Sequence, residues 1–597
     1  MNKKLLAPIL ILFFTIILSQ AMLRPGLYVI HDDQQIARLF VFDKALKSGQ
    51  FPVRWVDDLG FGFGYPLFNF YPPFVYFLGE IFHILGFGFI SSIKLVFFVS
   101  IFASGVAMYI FAREFLGRIP ALASTIFYMA VPYRALDIYV RGGLAESFSF
   151  VWLPLILWSF YKLAVTNKRI YLVLSSIFLA LLMITHNLIF LPFILILPFY
   201  LLFLFLNSKD KKLITYHLSL ITLLAAGLSA FFWLPALYEK KFTIVDDLLL
   251  LNLASYKIHF VYPQQLWNWT WGFGGSAAGL ADGISFKIGK LHIFMSFTAF
   301  ILAVVHILKR SSIRRQMPAP LKSQHEPSMN NSEKVNAKIN GVNCQLSTVF
   351  FILFLLSAFT TTFYSKLIWD SVKPLAYLQF PWRFLIFTAL FSSFLAGSFL
   401  ELLKLPILKF YGFLILVVLL LTVNLKLFKP QAYRPNLTDK LATSQETISW
   451  YISSSSFEYL PKGVELTKSS LGTNVVNITK NDIPSKKIEV IEGYAEINDL
   501  NTTPSKVEFM LEAKTDSKIK ANLFNFPGWR TTIDGTKVKI DDNNRLKLIT
   551  FQVPKGIHNV KLEFKNTFVR TFGNLVSLFS ILLIIFILKK WQTVTSS

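Results

Sequence analysis

Charge is scarce in this sequence. Asp, Glu, Lys and Arg together make up 16% of its 597 residues, well under the ~25% of ordinary soluble domains. A chain so short of charge cannot cover a folded surface in water. Acid is scarcer than base: 34 Asp and Glu stand against 59 Lys and Arg, a net charge of +25. Such an excess can mark nucleic-acid binding, but no zinc-ligand spacing or RNA-binding signature accompanies it, and nucleic acid is set aside as a partner. Cysteine is nearly absent. The single Cys344 permits no intrachain disulfide and says nothing of the redox compartment.

Apolar residues fill the space left by charge. The chain is 54% hydrophobic with 62 Phe, and its mean hydropathy is +0.53. Lipid is the solvent such a composition requires. Apolar runs lie at about 5–22, 94–112, 119–133, 145–163, 169–186, 188–206, 213–236, 291–309, 347–364, 383–400, 404–427 and 571–588. Taking ~20 residues per span predicts about twelve transmembrane helices. The first run reads as a retained helix, although Ser19-Gln20-Ala21 is a passable signal cleavage site.

The Lys and Arg clusters orient the chain. Lys3-Lys4, Arg113 with Arg118, Lys162 to Arg169, Lys209 to Lys212, Lys309 to Arg315, and Lys589-Lys590 all fall in the cytoplasm if 71–89 does not cross. If it crosses, every cluster after the first is inverted. The positive-inside rule therefore predicts an interfacial or re-entrant helix at 71–89 on the outer face of the plasma membrane. The same ledger puts loops 23–93, 134–144, 237–290, 365–382 and 428–570 outside and a disordered insert, 310–345, inside. Within 428–570, residues 487–566 alternate apolar and polar positions between turn signals such as Asp534-Gly535. That pattern predicts a small extracytoplasmic β-sandwich, pinned by the last helix in 571–597.

Four polar groups fall on the outer face. His31-Asp32-Asp33 follows the first helix; its paired carboxylates suit proton transfer or a divalent cation such as Mg or Mn, and equally suit a solvated loop. Arg134, Asp137, Arg141 and Glu146 occupy the next outer loop, as a binding group or an interfacial ion pair. His186, in Thr185-His186-Asn187, is a ligand or a helix-end hydrogen-bonding group. Arg383, in Phe380-Pro381-Trp382-Arg383, suits a phosphate or an interfacial anchor. Together they describe a site for an anionic lipid-linked substrate, or a transporter vestibule.

Several of these stretches resemble a known family. His31-Asp32-Asp33, Gly49 to Trp55, Gly62 to Pro73, Leu144-Ala145-Glu146, Thr185-His186-Asn187 and Phe380 to Arg383 resemble the bacterial and archaeal membrane family labelled 6-pyruvoyl-tetrahydropterin-synthase-related; nothing in the chain resembles the soluble pterin enzyme. Phe526-Pro527-Gly528-Trp529 and Val553 to His558 are similar to the C-terminal domain of YfhO-like membrane proteins. Both groups look like members of the GT-C glycosyltransferase superfamily. The resemblance implies a GT-C-like transmembrane domain over 1–427. It also implies a polyprenyl-phosphate sugar donor, a glycan, lipid or protein acceptor, and transfer on the outer face. Asp32 or Asp33 would be the general base. Arg383, with Arg134 or Arg141, would hold the leaving phosphate, and the tract 51–76 would shape the donor groove. A lipid-linked glycan flippase and a non-catalytic envelope assembly protein are the alternatives. A flippase predicts an internal inverted repeat with polar groups at the membrane midplane, and the sequence has no such repeat.

Overall fold

The structure is a computed structural model, and it describes residues 5–208, 210–249, 255–316, 331–403, 405–468 and 474–595. Among these, eight helices are long and apolar enough to cross a membrane. The first four are α4 (Phe89–Arg113), α6 (Leu144–Thr166), α8 (Asn187–Asn207) and the apolar part of α11 (Lys290–Gln316). The others lie in α12 (Asn331–Thr361), α13 (Leu385–Glu401), α14 (Pro406–Asn424) and α15 (Phe568–Thr595). The pair α9 (Lys211–Leu228) and α10 (Ala230–Glu239) is bent by 71° and is a broken span or a re-entrant loop; counted as one span, it brings the total to nine among the described residues.

The remaining expected spans are helical but shorter: α1 (Leu6–Leu18), α5 (Arg118–Met129) and α7 (Arg169–Thr185). At ~1.5 Å per residue each falls short of a ~30 Å hydrocarbon layer. Of the insert 310–345, α11 and α12 run in from either side, and residues 317–330 lie outside the described residues. The hub is α13: nearly all of its span is buried, and it packs against α5, α11 and α12.

The ambiguous stretch 71–89 contains α3, Phe74–Ile84, of only 11 residues. Its inner side buries Val75, Tyr76 and Gly79, while Ile81, Ile84 and Leu85 are exposed. A short helix with an outward apolar face lies at an interface more readily than it crosses one. Before it, α2 (Gln35–Lys47) packs against both α3 and α4.

The C-terminal region is β-rich. Strands β1 (Ile488–Glu492), β2 (Ala495–Thr503), β3 (Lys506–Ala513), β4 (Ser517–Phe524), β5 (Trp529–Ile533), β6 (Thr536–Val538), β7 (Leu548–Val553) and β8 (Gly556–Phe564) form two sheets. One has five strands in the order β6-β5-β8-β3-β2 and the other three in the order β7-β4-β1, with antiparallel neighbours throughout. The alternation foreseen for 506–510 holds: Val507, Phe509 and Leu511 are buried, as the period of two requires.

The tract 51–76 mainly seats this β-rich region. Trp55 meets Trp529 edge-on at 5.4 Å and lies over Phe564 at 5.1 Å. The Phe524 amide donates to the Phe63 carbonyl at 2.9 Å. Phe70, Tyr71 and Pro72 of the tract reach a large cavity, while Trp55 and Phe63 are taken up by packing, which a motif alone cannot distinguish from ligand binding.

Candidate active site

Backbone pairing places Asp32. The His31 amide donates to the Val140 carbonyl at 3.0 Å, and the Asp32 amide to the Arg141 carbonyl at 2.8 Å. The acidic motif thus lies against the π-helical turn Asp137–Arg141 that precedes α6. Two glycines permit the approach. Gly142 has φ +74°, and a Cβ there would lie 2.5 Å from the Ile30 side chain; a Cβ on Gly143 would lie 2.3 Å from Asp137 Oδ1.

A buried chain of charge lies behind this contact. Arg141 Nη1 donates to Asp137 Oδ1 at 3.0 Å and to Glu146 Oε2 at 2.9 Å. The Tyr133 hydroxyl donates to Glu146 Oε1. Arg383 Nε stands 3.7 Å from Glu146 Oε2, while Arg383 Nη1 donates to the Leu378 carbonyl and, at 3.3 Å, to Gln379 Oε1. Glu146 is occupied by Tyr133 and two arginines, so it orients those cations rather than offering a free base. Burial pushes the Asp137 carboxyl well above the usual carboxylate range, and the Glu146 carboxylate acts in the same direction.

Part of this chain of charge borders a cavity of about 980 Å³. His31, Asp32, Arg141, Glu146, His186 and Arg383 all line it. His31 Nε2 is within 3.0 Å of the Phe273 carbonyl. His186 is the N-cap of α8, its Nδ1 accepting from the Ile189 amide at 3.2 Å, so the helix-end role and the cavity position coincide.

Three expected site residues are not in the lining. Asp33 turns away to Arg434, 3.7 Å distant, with its side chain 44% exposed. Burial raises the Asp33 carboxyl above its ordinary value, against the pull of Arg434. Arg134 is fully buried, its guanidinium 3.9 Å from the Phe150 ring centre and 5.5 Å from that of Tyr128, an aromatic cradle outside the cavity lining. Asp137 is buried behind Arg141 as its anchor.

Sequence reasoning missed Arg38, Lys240, Lys373, Tyr377, Ser456 and Glu458, all of which line the cavity. Arg38 had a signal, a cation within the apolar stretch Ile36-Ala37-Arg38-Leu39-Phe40; so had Lys240, which with Glu239 ends the apolar run 213–236. Ser456 and Glu458 had none, because only tertiary folding brings them there.

The side chains do not make a metal set. Asp32 and Asp33 diverge, and among the described residues no group of three or more His, Cys, Asp or Glu side chains is arranged to hold an ion.

The chain is similar to solved membrane transferases. It resembles a mycobacterial arabinofuranosyltransferase, AftD, at 12% identity over 71% of this chain and 27% of that one, with a TM-score of 0.40. It also resembles the oligosaccharyltransferase AglB of Archaeoglobus fulgidus, solved with an inhibitory peptide and a dolichol-phosphate. There the identity is 15% over 71% of this chain and 55% of that one, with a TM-score of 0.38. The apo form of the A. fulgidus enzyme matches at 14% identity over 74% of this chain and 56% of that one, with a TM-score of 0.38. The chain thus spans about a quarter of the first and about half of the others. No curated protein matches it. The family model described as 6-pyruvoyl-tetrahydropterin synthase related domain, membrane protein, matches residues 68–428, and the chain belongs to that family.

Proposed function

We propose that this protein transfers a sugar from a polyprenyl-phosphate donor to an acceptor hydroxyl at the extracytoplasmic face of the plasma membrane. The observation that carries the reading is that Asp32 and Arg383 border one cavity. A carboxylate and a guanidinium facing a common space supply the base and the leaving-group clamp that glycosyl transfer needs.

The wall of the cavity suits an amphiphile. Along α10 it is apolar, with Phe232, Trp233, Ala236 and Leu237, and it ends at Lys240. Lys240 Nζ donates to the Tyr377 hydroxyl at 2.8 Å, and the short stretch carrying Tyr377 also brings Lys373 and Arg383 to the lining. A lipid tail along α10 would put its phosphate among Lys240, Lys373 and Arg383, where charge-assisted bonds are strongest. Asp32 then accepts the proton of the acceptor hydroxyl. The acceptor oxygen bonds to the anomeric carbon with inversion, and the C–O bond to phosphate breaks. The electron pair departs with polyprenyl phosphate, whose charge the three cations hold.

The test is sugar transfer from labelled polyprenyl-phosphate sugars by purified protein in lipid. Asp32→Asn should lower the rate by ~10²–10⁴, the range for loss of a general base; a rate equal to wild type removes Asp32 from that role. Orientation has its own test. Ile84, 70% exposed on α3, should react as Ile84→Cys with an impermeant maleimide added outside intact cells. Reaction only in inverted vesicles would reverse the assignment of faces.

A further inference from the structure

The cavity has a second polar station, built largely from stretches that the family match at 68–428 does not cover. Gln34 and Arg38 come from the start of α2, and Ser456, Glu458 and Tyr459 from the approach to the β-rich region. Arg38 is 3% exposed. Its Nη2 donates to Gln34 Oε1 and to Ser456 Oγ, both at 3.0 Å, and its guanidinium lies 4.3 Å from the centre of the Tyr71 ring. Ser456 Oγ is 3.4 and 3.5 Å from the two Glu458 carboxylate oxygens. Tyr459 stacks on Phe70 at 4.9 Å, and its backbone N–H is 2.9 Å from the Tyr65 hydroxyl. The aromatic walls are thus fixed before any ligand arrives.

Around Lys240, Lys373 and Arg383 cations outnumber carboxylates, with Asp246 3.2 Å from Lys240 Nζ and Glu146 3.7 Å from Arg383 Nε; here the two signs balance. One guanidinium faces one carboxylate, with a hydroxyl, a carboxamide and two phenol rings beside them. An anion would have to settle against Glu458. A purely apolar ligand would exclude water from the Glu458 carboxylate and leave it only the long contacts of Ser456 Oγ, a desolvation without compensation. A neutral polyhydroxyl ligand suits both: its hydroxyls donate to Glu458, accept from Arg38, and its C–H faces lie on Tyr71 and Tyr459. We propose that this station binds the acceptor, and that the acceptor is a neutral carbohydrate. The inference rests on the glycosyl-transfer reading and deepens it, by making residues outside the matched region determine which hydroxyl receives the sugar.

The experiment is isothermal titration calorimetry on the full-length protein in nanodiscs. The ligands are methyl glycosides of glucose, galactose, mannose and arabinose and, separately, decaprenyl phosphate. Wild type should bind at least one glycoside. Glu458→Gln should weaken that binding at least about fivefold more than it weakens decaprenyl phosphate binding, and Ser456→Ala should act in the same sense. Unchanged thermal unfolding identifies folded variants, and either variant suffices. Absence of glycoside binding to wild type, or a smaller differential loss in the folded variants, overturns the proposal. The glycosyl-transfer reading fails on a different result, wild type that does not bind decaprenyl phosphate.

Discussion

Among the described residues, two buried arginine–carboxylate clusters, around Glu239 and around Glu146, differ in what is left over. In the first, Glu239 closes on itself with its neighbours. Arg570 Nε donates to Glu239 Oε2 at 2.9 Å, the Asn69 amide to the same oxygen at 2.8 Å, and the Thr567 hydroxyl to Oε1 at 2.6 Å. The other Arg570 nitrogens donate to the carbonyls of Lys565 and Pro527 at 3.4 and 2.8 Å. Every member of that pair is satisfied inside the protein, tying α15 to α10 and to the first loop. In the second cluster, around Glu146, Arg141 and Arg383, the arginines border an open cavity. Similar residue types make a structural bolt in one place and the wall of a cavity in the other, the wall to which the proposed function assigns substrate binding. Internal satisfaction separates the two roles, where burial alone would not.

The largest effect expected from breaking this contrast is at the bolt. Glu239→Ala leaves Arg570 buried without its carboxylate, and removal of one partner of a buried pair costs ~3–5 kcal/mol. Thermal unfolding in detergent should show a large drop, and Glu239→Leu with Arg570→Met should recover most of it. A single variant as stable as wild type would end the structural assignment. At the cavity the loss should be in rate. Arg383→Lys keeps a charge but loses the forked geometry, and removing one donor to a developing anion costs ~10²–10³ in turnover. Its unfolding temperature should fall much less than that of Glu239→Ala. Equal losses of stability in the two variants would erase the distinction between the clusters.

The membrane character and the β-rich C-terminal region were legible because composition and periodicity report solvent directly. The stretch 71–89 holds a helix of only 11 residues, in keeping with a segment that the charge of Arg113, Arg118 and Lys162 keeps from crossing, while the side on which it lies rests on that charge alone. The cavity was half legible. Asp32, Glu146, His186 and Arg383 stood out because a polar residue beside an apolar run needs a reason. Arg134 carried the same signature for a different reason, an aromatic cradle from Phe150 and Tyr128, and sequence cannot show which ring a guanidinium meets. Ser456 and Glu458 are more than 400 residues from Arg38, a separation at which no local pattern exists.

The smallest expected effect divides the acidic pair itself. Asp33 is half-exposed beside Arg434, outside the cavity lining, so Asp33→Asn should leave transfer within about twofold of wild type, whereas Asp32→Asn should not. Stability carries a second sign. The Asp33 carboxyl is raised in the folded protein, first by burial, against Arg434. A group held above its unfolded value binds the proton more tightly when folded, so stability declines as pH rises from the ordinary carboxylate range through the raised value. A carboxamide at this position cannot titrate, so Asp33→Asn should match wild type below that window and be marginally more stable above it. Solvent screening at a half-exposed side chain keeps the difference under ~1 kcal/mol. Unfolding temperatures measured across that window provide the check. A loss of transfer in Asp33→Asn as deep as in Asp32→Asn would move the base to Asp33, and with it the orientation of the donor in the cavity.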